Sequence, residues 1–124
     1  MQKIYFLIIG GIAGTLARYF FGNLAHRVLG VGFPYGTLVV NLSGCLIIGF
    51  LAALMQVKAV LSPNMRLLLM VGFCGAFTTF SSFIFETDAL VRDTQFLWAF
   101  LNISISVILG FVLFRVGYII GQIL

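Results

Sequence analysis

Charged residues are scarce in this chain of 124 residues, which has seven Lys or Arg, three Asp or Glu and a single His. About a quarter of the residues of an average soluble protein are charged, whereas the share here is 8% and 62% of the residues are hydrophobic. A soluble domain of this size could not hide so much apolar surface from water. The scarcity of charge therefore excludes an ordinary soluble fold and predicts a chain surrounded by lipid.

The few polar groups also exclude several functions. The basic residues are spread along the chain and never cluster, which argues against a nucleic-acid-binding surface. One His and three carboxylates in a single short segment cannot supply a base, a nucleophile and an orienting group, so we expect no enzyme. The only two cysteines, Cys45 and Cys74, lie in apolar runs, and neither a disulfide nor a transition-metal site is expected of them.

Four apolar runs organise the sequence, at about residues 4–22, 37–57, 67–85 and 96–121. Each reaches the roughly 20 residues that a spanning helix needs. The segments between them are predicted to be interfacial loops, and they hold most of the charges and both prolines: His26, Arg27 and Pro34; Lys58, Pro63 and Arg66; Glu86, Asp88, Arg92 and Asp93. We therefore predict an all-α integral membrane protein, with residues 1–124 forming a single domain of four transmembrane helices.

The basic residues give almost no information about orientation. Lys3, Lys58 and Arg66 fall on one side of the predicted membrane, against Arg27 and Arg92 on the other. An excess of Lys and Arg normally marks the cytoplasmic side, and a chain without one could insert both ways. Two oppositely inserted copies could then pair as an antiparallel dimer. The alternative, one fixed orientation set by a single extra charge, stays open.

A small-residue stripe marks the first span. Gly10, Gly14 and Arg18 recur every four residues and share one helix face. Glycines at this spacing are typical of close helix packing, with the Arg snorkelling to the interface. The alternative is a functional Arg, whose positive field attracts an anion to a pore mouth.

An amide lies inside the second span, where PYGTLVVNLSG (34–44) places Asn41 within the apolar run. Polar groups in hydrocarbon are costly and usually mark function or helix contacts. The Asn41 amide could bond a neighbouring helix or donate its NH2 to a passing anion. Spacing alone does not distinguish these two roles.

The third span contains GFCGAFTTFSSF (72–83), which mixes glycines, hydroxyl residues and phenylalanines. Gly75 beside Thr78 and Thr79 predicts a broken helix, whose freed carbonyls at membrane depth would need a partner. An unbroken helix, with Ser and Thr bonded to their own turn, is the alternative. Phe80 and Phe83 share a face, and their positive ring edges could favour an anion, although such a stripe is usually plain packing.

The fourth span carries a narrow polar track in which Asn102, Ser106 and Gly110 recur every four residues. Packing alone could also explain it.

Taken together, the four segments resemble the Fluc (CrcB) family of bacterial fluoride channels over nearly the whole chain. The resemblance rests on the Gly-rich first span ending in Arg18, on GTLVVNLSG, and on GFCGAFTTFSSF with Glu86. The sequence departs from the family pattern at Ser82, where Thr is common, and at Gly110, where a small hydroxyl residue is often seen.

The resemblance implies an antiparallel dual-topology homodimer whose third helix is broken at its centre. Two pores would conduct fluoride passively across the bacterial inner membrane, so the partners would be a second copy, fluoride and lipid, and no nucleic acid. It further implies a structural Na+ at the dimer centre, held by the backbone carbonyls of Gly75 and Thr78. The other site residues that it implies are the pore-lining Asn41, Phe80, Phe83, Ser106 and Asn102, and Arg18 and Glu86 in structural or vestibule roles.

Two other classes of membrane protein remain as alternatives. A small dual-topology multidrug exporter also has four spans, but proton-coupled export of cations needs a membrane-embedded carboxylate. The first three spans contain none before Glu86, at the edge of the third. A non-transporting assembly subunit would use the Gly and Ser tracks for packing only.

Overall fold

The computed structural model describes residues 1–124 and is entirely helical. Its helices are α1 (Gln2–Leu29), α2 (Tyr35–Gln56), α3 (63–77), α4 (Phe80–Arg92) and α5 (Phe96–Ile123). Since α3 and α4 follow each other in one segment, Pro63–Arg92, the chain has four segments long and apolar enough to cross a membrane. The prediction of an all-helical chain with four spans is confirmed.

The helices extend beyond the predicted spans, so several charged residues assigned to loops lie on helix ends instead. His26 and Arg27 belong to the last turn of α1, which ends at Gly30 with φ 104°, a left-handed conformation that glycine adopts without strain. Arg92 likewise closes α4. A positive charge is favourable at a helix C-terminus. Hydropathy marks where the lipid ends, whereas the caps decide where a helix ends.

The start of α3 shows the same difference between prediction and structure. Pro63 and Arg66, predicted to lie in a loop, form its first turn. Ser62 caps this turn, because its hydroxyl oxygen accepts a hydrogen bond from the backbone N–H of Met65 at 3.2 Å. Pro is tolerated at the first helical position, where its missing N–H has no helical partner to lose.

Glycines set the closest helix contacts. A methyl group on Gly10 would lie 2.9 Å from the backbone nitrogen of Phe73, and one on Gly14 would lie 3.0 Å from that of Phe77. The stripe of α1 is therefore in backbone contact with α3, and the packing role predicted for these glycines is confirmed. α2 and α5 approach each other in the same way at Gly49 and Gly117.

The third crossing is broken, as predicted. α3 contains an eight-residue π-helical stretch, Leu67–Cys74, and ends after Phe77. Thr78 (φ −88°, ψ 156°) and Thr79 (φ −149°, ψ 117°) are extended, and α4 begins at Phe80. Gly75 itself remains helical, so the break lies at the β-branched pair, whose side chains suit extended backbone, and not at the glycine.

Few residues are fully buried within the single chain, 22 of the 124. α4 turns Phe83, Thr87 and Leu90 inward, whereas Phe80 and Phe85 are 75% and 69% exposed. Large aromatic side chains at membrane depth are covered by lipid or by another protein. The outer face of α4 is therefore open to one of these two.

Candidate functional site

The Asn41 amide holds the backbone of the break. Its Nδ2 donates a hydrogen bond to the carbonyl of Thr79 at 3.0 Å, and its Oδ1 accepts one from the Thr79 N–H at 2.8 Å. The contact with a neighbouring helix that the sequence left open is thus present. The NH2 group has a second hydrogen, for which the chain offers no acceptor. Asn41 therefore supports the break and keeps one donor free.

The two threonines of the break complete its local bonding. Thr78 Oγ1 donates to the Cys74 carbonyl at 2.8 Å, which binds this side chain to the last turn of α3. Thr79 Oγ1 accepts from the N–H of Ser82 at 3.3 Å and so caps α4, and it also donates to Ser82 Oγ at 3.0 Å. Ser82 keeps the hydroxyl function that Thr supplies in the family pattern.

The backbone carbonyls of residues 75–78 lose their α-helical partners at the break, among them those of Gly75 and Thr78. In a continuous α-helix the carbonyl of Gly75 would accept from the N–H of Thr79, and that of Thr78 from the N–H of Ser82. Those two N–H groups are instead bonded to Asn41 Oδ1 and Thr79 Oγ1. Gly75 is exposed, and a methyl group added to it would meet nothing within 4 Å. The two carbonyls predicted to bind Na+ are thus among those that the break releases, and hard oxygens of this kind suit such a cation.

A groove of about 300 Å³ lies beside the break, and we call it the central groove. Four of the predicted pore residues line it: Asn41, Phe80, Phe83 and Ser106. No Asp, Glu, Lys or Arg is among its lining residues, the others being Gly44, Cys45, Ile48, Cys74, Thr78, Thr79 and Val107. The Oγ of Ser106 is buried without any hydrogen-bond partner. A buried hydroxyl of this kind calls for a ligand or a water molecule.

The two phenylalanines of the central groove differ in their surroundings. Their ring centroids are 5.8 Å apart and the ring planes are inclined by 47°. Phe83 is only 7% exposed, whereas Phe80 is 75% exposed in the single chain. Phe83 is therefore fixed by its own chain, while Phe80 depends on whatever covers α4.

Asn102, the fifth predicted pore residue, does not line the central groove. It is 2% exposed, and its Nδ2 donates to Thr87 Oγ1 at 2.9 Å. That hydroxyl in turn donates to the carbonyl of Phe83 at 2.7 Å. The chain of bonds attaches α4 to α5 and fixes the position of Phe83. Thr87 was not singled out from the sequence, although it follows Phe83 by one helical turn.

A second cavity, the polar cleft, has a volume of about 310 Å³. Its lining residues are Thr15, Arg18, Tyr19, Gly22, Asn23, His26, Gly36, Thr37, Val40, Thr79 and Ser82. Thr79 also lines the central groove, so the two cavities share a wall residue at the break. No carboxylate pairs with Arg18, because the only ion pair of the chain joins Arg92 and Asp88 at 2.8 Å. The charge of Arg18 therefore gives the cleft a positive field.

Glu86 contacts a wall residue of the polar cleft. Its Oε1 accepts a hydrogen bond from Thr37 Oγ1 at 2.8 Å, and Thr37 lines the cleft. Its Oε2 is buried without a partner. The contact links α4 to the start of α2, which is consistent with a structural or vestibule position.

These features define a multi-pass α-helical membrane protein, with four apolar crossings, a break held by the Asn41 amide, and a groove beside that break. The chain belongs to the CrcB-like family: the sequence model described as "CrcB-like protein, Camphor Resistance (CrcB)" matches residues 5–118.

Relatives of nearly equal length support this assignment. The chain is 40% identical to a protein of Solidesulfovibrio magneticus, with 100% of this chain and 99% of the relative covered. It is also 40% identical to one of Desulforapulum autotrophicum (99% and 98% covered) and 45% identical to one of Chlorobium phaeobacteroides (82% and 78% covered). Each of the three is named "Fluoride-specific ion channel FluC".

Proposed function

We propose that this protein is a passive fluoride channel that lets the anion leave the cytoplasm across the bacterial inner membrane. The observation that carries the proposal is the central groove, where Asn41 and Ser106 present neutral donors beside Phe80 and Phe83. The fluoride channels to which the chain is 40% identical over its full length support the choice of ion.

The chemistry of the central groove suits a small, strongly hydrated anion. Replacing the water of fluoride requires donors at close range, which the free N–H of Asn41 and the unpartnered hydroxyl of Ser106 can supply. Conduction also requires binding weak enough to release the ion. Neutral donors and ring edges meet this condition better than a buried Lys, and no cationic side chain lines the groove.

The single chain does not enclose a pore, so the proposal includes a second copy. The central groove is open, and Phe80 on its wall is three-quarters exposed. An antiparallel dual-topology homodimer would close two such grooves, each lined by both subunits. The near-even distribution of Lys and Arg over the two sides supports insertion in both orientations.

A structural Na+ at the dimer centre is the remaining part of the proposal. The carbonyls of Gly75 and Thr78, which lose their helical N–H partners at the break, would hold it. A bound cation would neutralise oxygens that are costly to leave unpaired in the membrane.

The competing classes lack such support. A cation exporter needs a carboxylate on the transport path, whereas none lines the central groove and Glu86 is bonded to Thr37 elsewhere. If the chain were only an assembly subunit, nothing would account for the buried hydroxyl of Ser106, which has no hydrogen-bond partner.

The proposal is tested by fluoride efflux from liposomes that contain the purified protein, followed with a fluoride electrode. We expect rapid efflux once charge is balanced by an ionophore, little chloride efflux, and none from empty liposomes. Absence of fluoride efflux would contradict the channel.

The orientation of the chain is tested with cysteines introduced one at a time near the two termini, in a background with both native cysteines replaced. An impermeant label should reach each position from both sides of the native membrane, and labelling from one side only would exclude dual topology.

A further inference from the structure

The central groove contains a thiol in addition to the amide, hydroxyl and ring edges of the proposed ion path. Both cysteines of the chain line the groove and both are free. Cys74 is 1% exposed and sealed beneath the surface, whereas Cys45 is only partly buried. Of the two thiols, Cys45 is therefore the one that a molecule inside the groove could reach.

Cys45 lies beside a gap in the polar track of α5. Ser106 and Gly110 are one turn apart on the same helix face, but Gly110 has no side chain to continue the track. The only atom within 4 Å of a methyl group added to Gly110 is Cys45 Sγ, at 3.4 Å. The thiol thus stands where a side chain at position 110 would point, one turn beyond the unpartnered hydroxyl of Ser106.

We infer that Cys45 is a further ion-contacting residue, whose S–H is the donor that follows Ser106 along the path. The inference rests on the proposed function. A thiol is a weak donor, and a weak site next to a stronger one favours onward movement of the ion over retention. The same location makes Cys45 a modification site for small thiol-specific reagents, and a group attached there would obstruct the groove.

The donor role is tested by a set of variants matched in volume. Cys45→Ala removes the donor and should lower fluoride efflux by about fivefold, the effect of losing one modest hydrogen bond, whereas Cys45→Ser should keep efflux near that of the wild type. Adding Gly110→Ser to Cys45→Ala should restore efflux, because it returns a hydroxyl to the same place, and Gly110→Ala should not. A methyl group at position 110 would lie 3.4 Å from Cys45 Sγ, at the short end of ordinary contact, and Cys45→Ala removes that sulfur.

Chemical modification tests the location without changing the fold. Methyl methanethiosulfonate forms an S–S bond between its methylthio sulfur and the thiol, while its own S–S bond breaks and methanesulfinate leaves with the thiol proton released to water. Treatment should block efflux by the wild type and by Cys74→Ser, and leave Cys45→Ser unaffected.

The outcomes separate this inference from the proposed function. Wild-type efflux in Cys45→Ala overturns the donor role even when the channel itself is active. A reagent effect that persists in Cys45→Ser shows that another group is modified, and overturns the modification site. If Cys45→Ala and Cys45→Ser lose fluoride efflux equally and both melt at a lower temperature, Cys45 is only a packing residue between α2 and α5. No efflux by the unmodified wild type overturns both proposals.

Discussion

The amide of Asn41 and the backbone of Thr79 form a pair of hydrogen bonds, 3.0 Å and 2.8 Å long, that joins α2 to the break in the third crossing. The same amide lines the central groove. One side chain therefore stabilises the broken backbone and presents a donor beside it, so a change at this position affects the fold and the proposed ion path together.

Asn41→Asp should abolish fluoride efflux. The carboxylate removes the donor to the Thr79 carbonyl and places a negative charge where an anion would pass, in surroundings of low dielectric constant. We expect the proposed dimer still to elute as one species but to melt at a lower temperature, by the equivalent of roughly 1–3 kcal/mol for an unsatisfied buried group. Ser43→Ala is the control, since that hydroxyl bonds only the carbonyls of Val39 and Val40 in its own helix. Wild-type efflux in Asn41→Asp would show that the amide serves packing alone.

Gly14→Ala should destabilise the protein, and Gly11→Ala should not. A methyl group at Gly14 would lie 3.0 Å from the backbone nitrogen of Phe77, whereas nothing lies within 4 Å of one at Gly11. Forcing helices apart in this way costs about 1–3 kcal/mol. Thermal unfolding in detergent measures the difference, and equal melting temperatures would contradict the backbone contact between α1 and α3.

Ser106→Ala and Thr87→Val separate a functional hydroxyl from a structural one. Ser106 Oγ has no partner in the chain, so its removal should leave thermal stability unchanged and lower fluoride efflux. Thr87 Oγ1 bonds both Asn102 and the carbonyl of Phe83, so Thr87→Val should lower stability by about 1–3 kcal/mol. If Ser106→Ala transports normally, the hydroxyl is outside the ion path.

Phe80→Ile and Phe83→Ile test the ring edges, which are the only positive feature that a phenylalanine offers an anion. Isoleucine keeps much of the bulk but has no quadrupole, so both variants should reduce fluoride efflux. Phe83→Ile should also lower stability, because that ring is 7% exposed, whereas Phe80, 75% exposed, contributes little to the single chain. Unchanged efflux in both variants would leave the two rings a packing role only.

The sequence predicted the four spans and the break because both depend on local composition. The bonding partner of Asn41 is Thr79, 38 residues away, and no local pattern reports a contact at that distance. Asn102 illustrates the same limit: its spacing placed it on the track with Ser106, whereas the neighbouring helix supplies Thr87 and turns the amide away from the groove. The π-helical stretch Leu67–Cys74 has no composition that distinguishes it from an ordinary apolar helix.

Na+ should be needed to assemble the protein but not to drive transport. The N–H groups of Thr79 and Ser82 bond side chains instead of the carbonyls of Gly75 and Thr78, and such oxygens cost several kcal/mol each at membrane depth unless they find a partner. In an antiparallel pair, the two carbonyls of each copy would converge near the two-fold axis, and four hard oxygens suit Na+ better than a soft metal.

A ligand that binds only the assembled state raises its stability as its concentration rises. We therefore expect the proposed dimer to melt at a higher temperature in Na+ than in N-methyl-D-glucamine, which is too large for the proposed site, and protein purified without Na+ to lose fluoride efflux. Reversing the Na+ gradient across liposomes should leave the efflux rate unchanged, because a structural ion does not cross. Potassium is the matched control, since it has the same charge and a larger radius. Equal stability in all three cations would show that the released carbonyls are satisfied without Na+, and efflux that follows the Na+ gradient would make the ion a transported one.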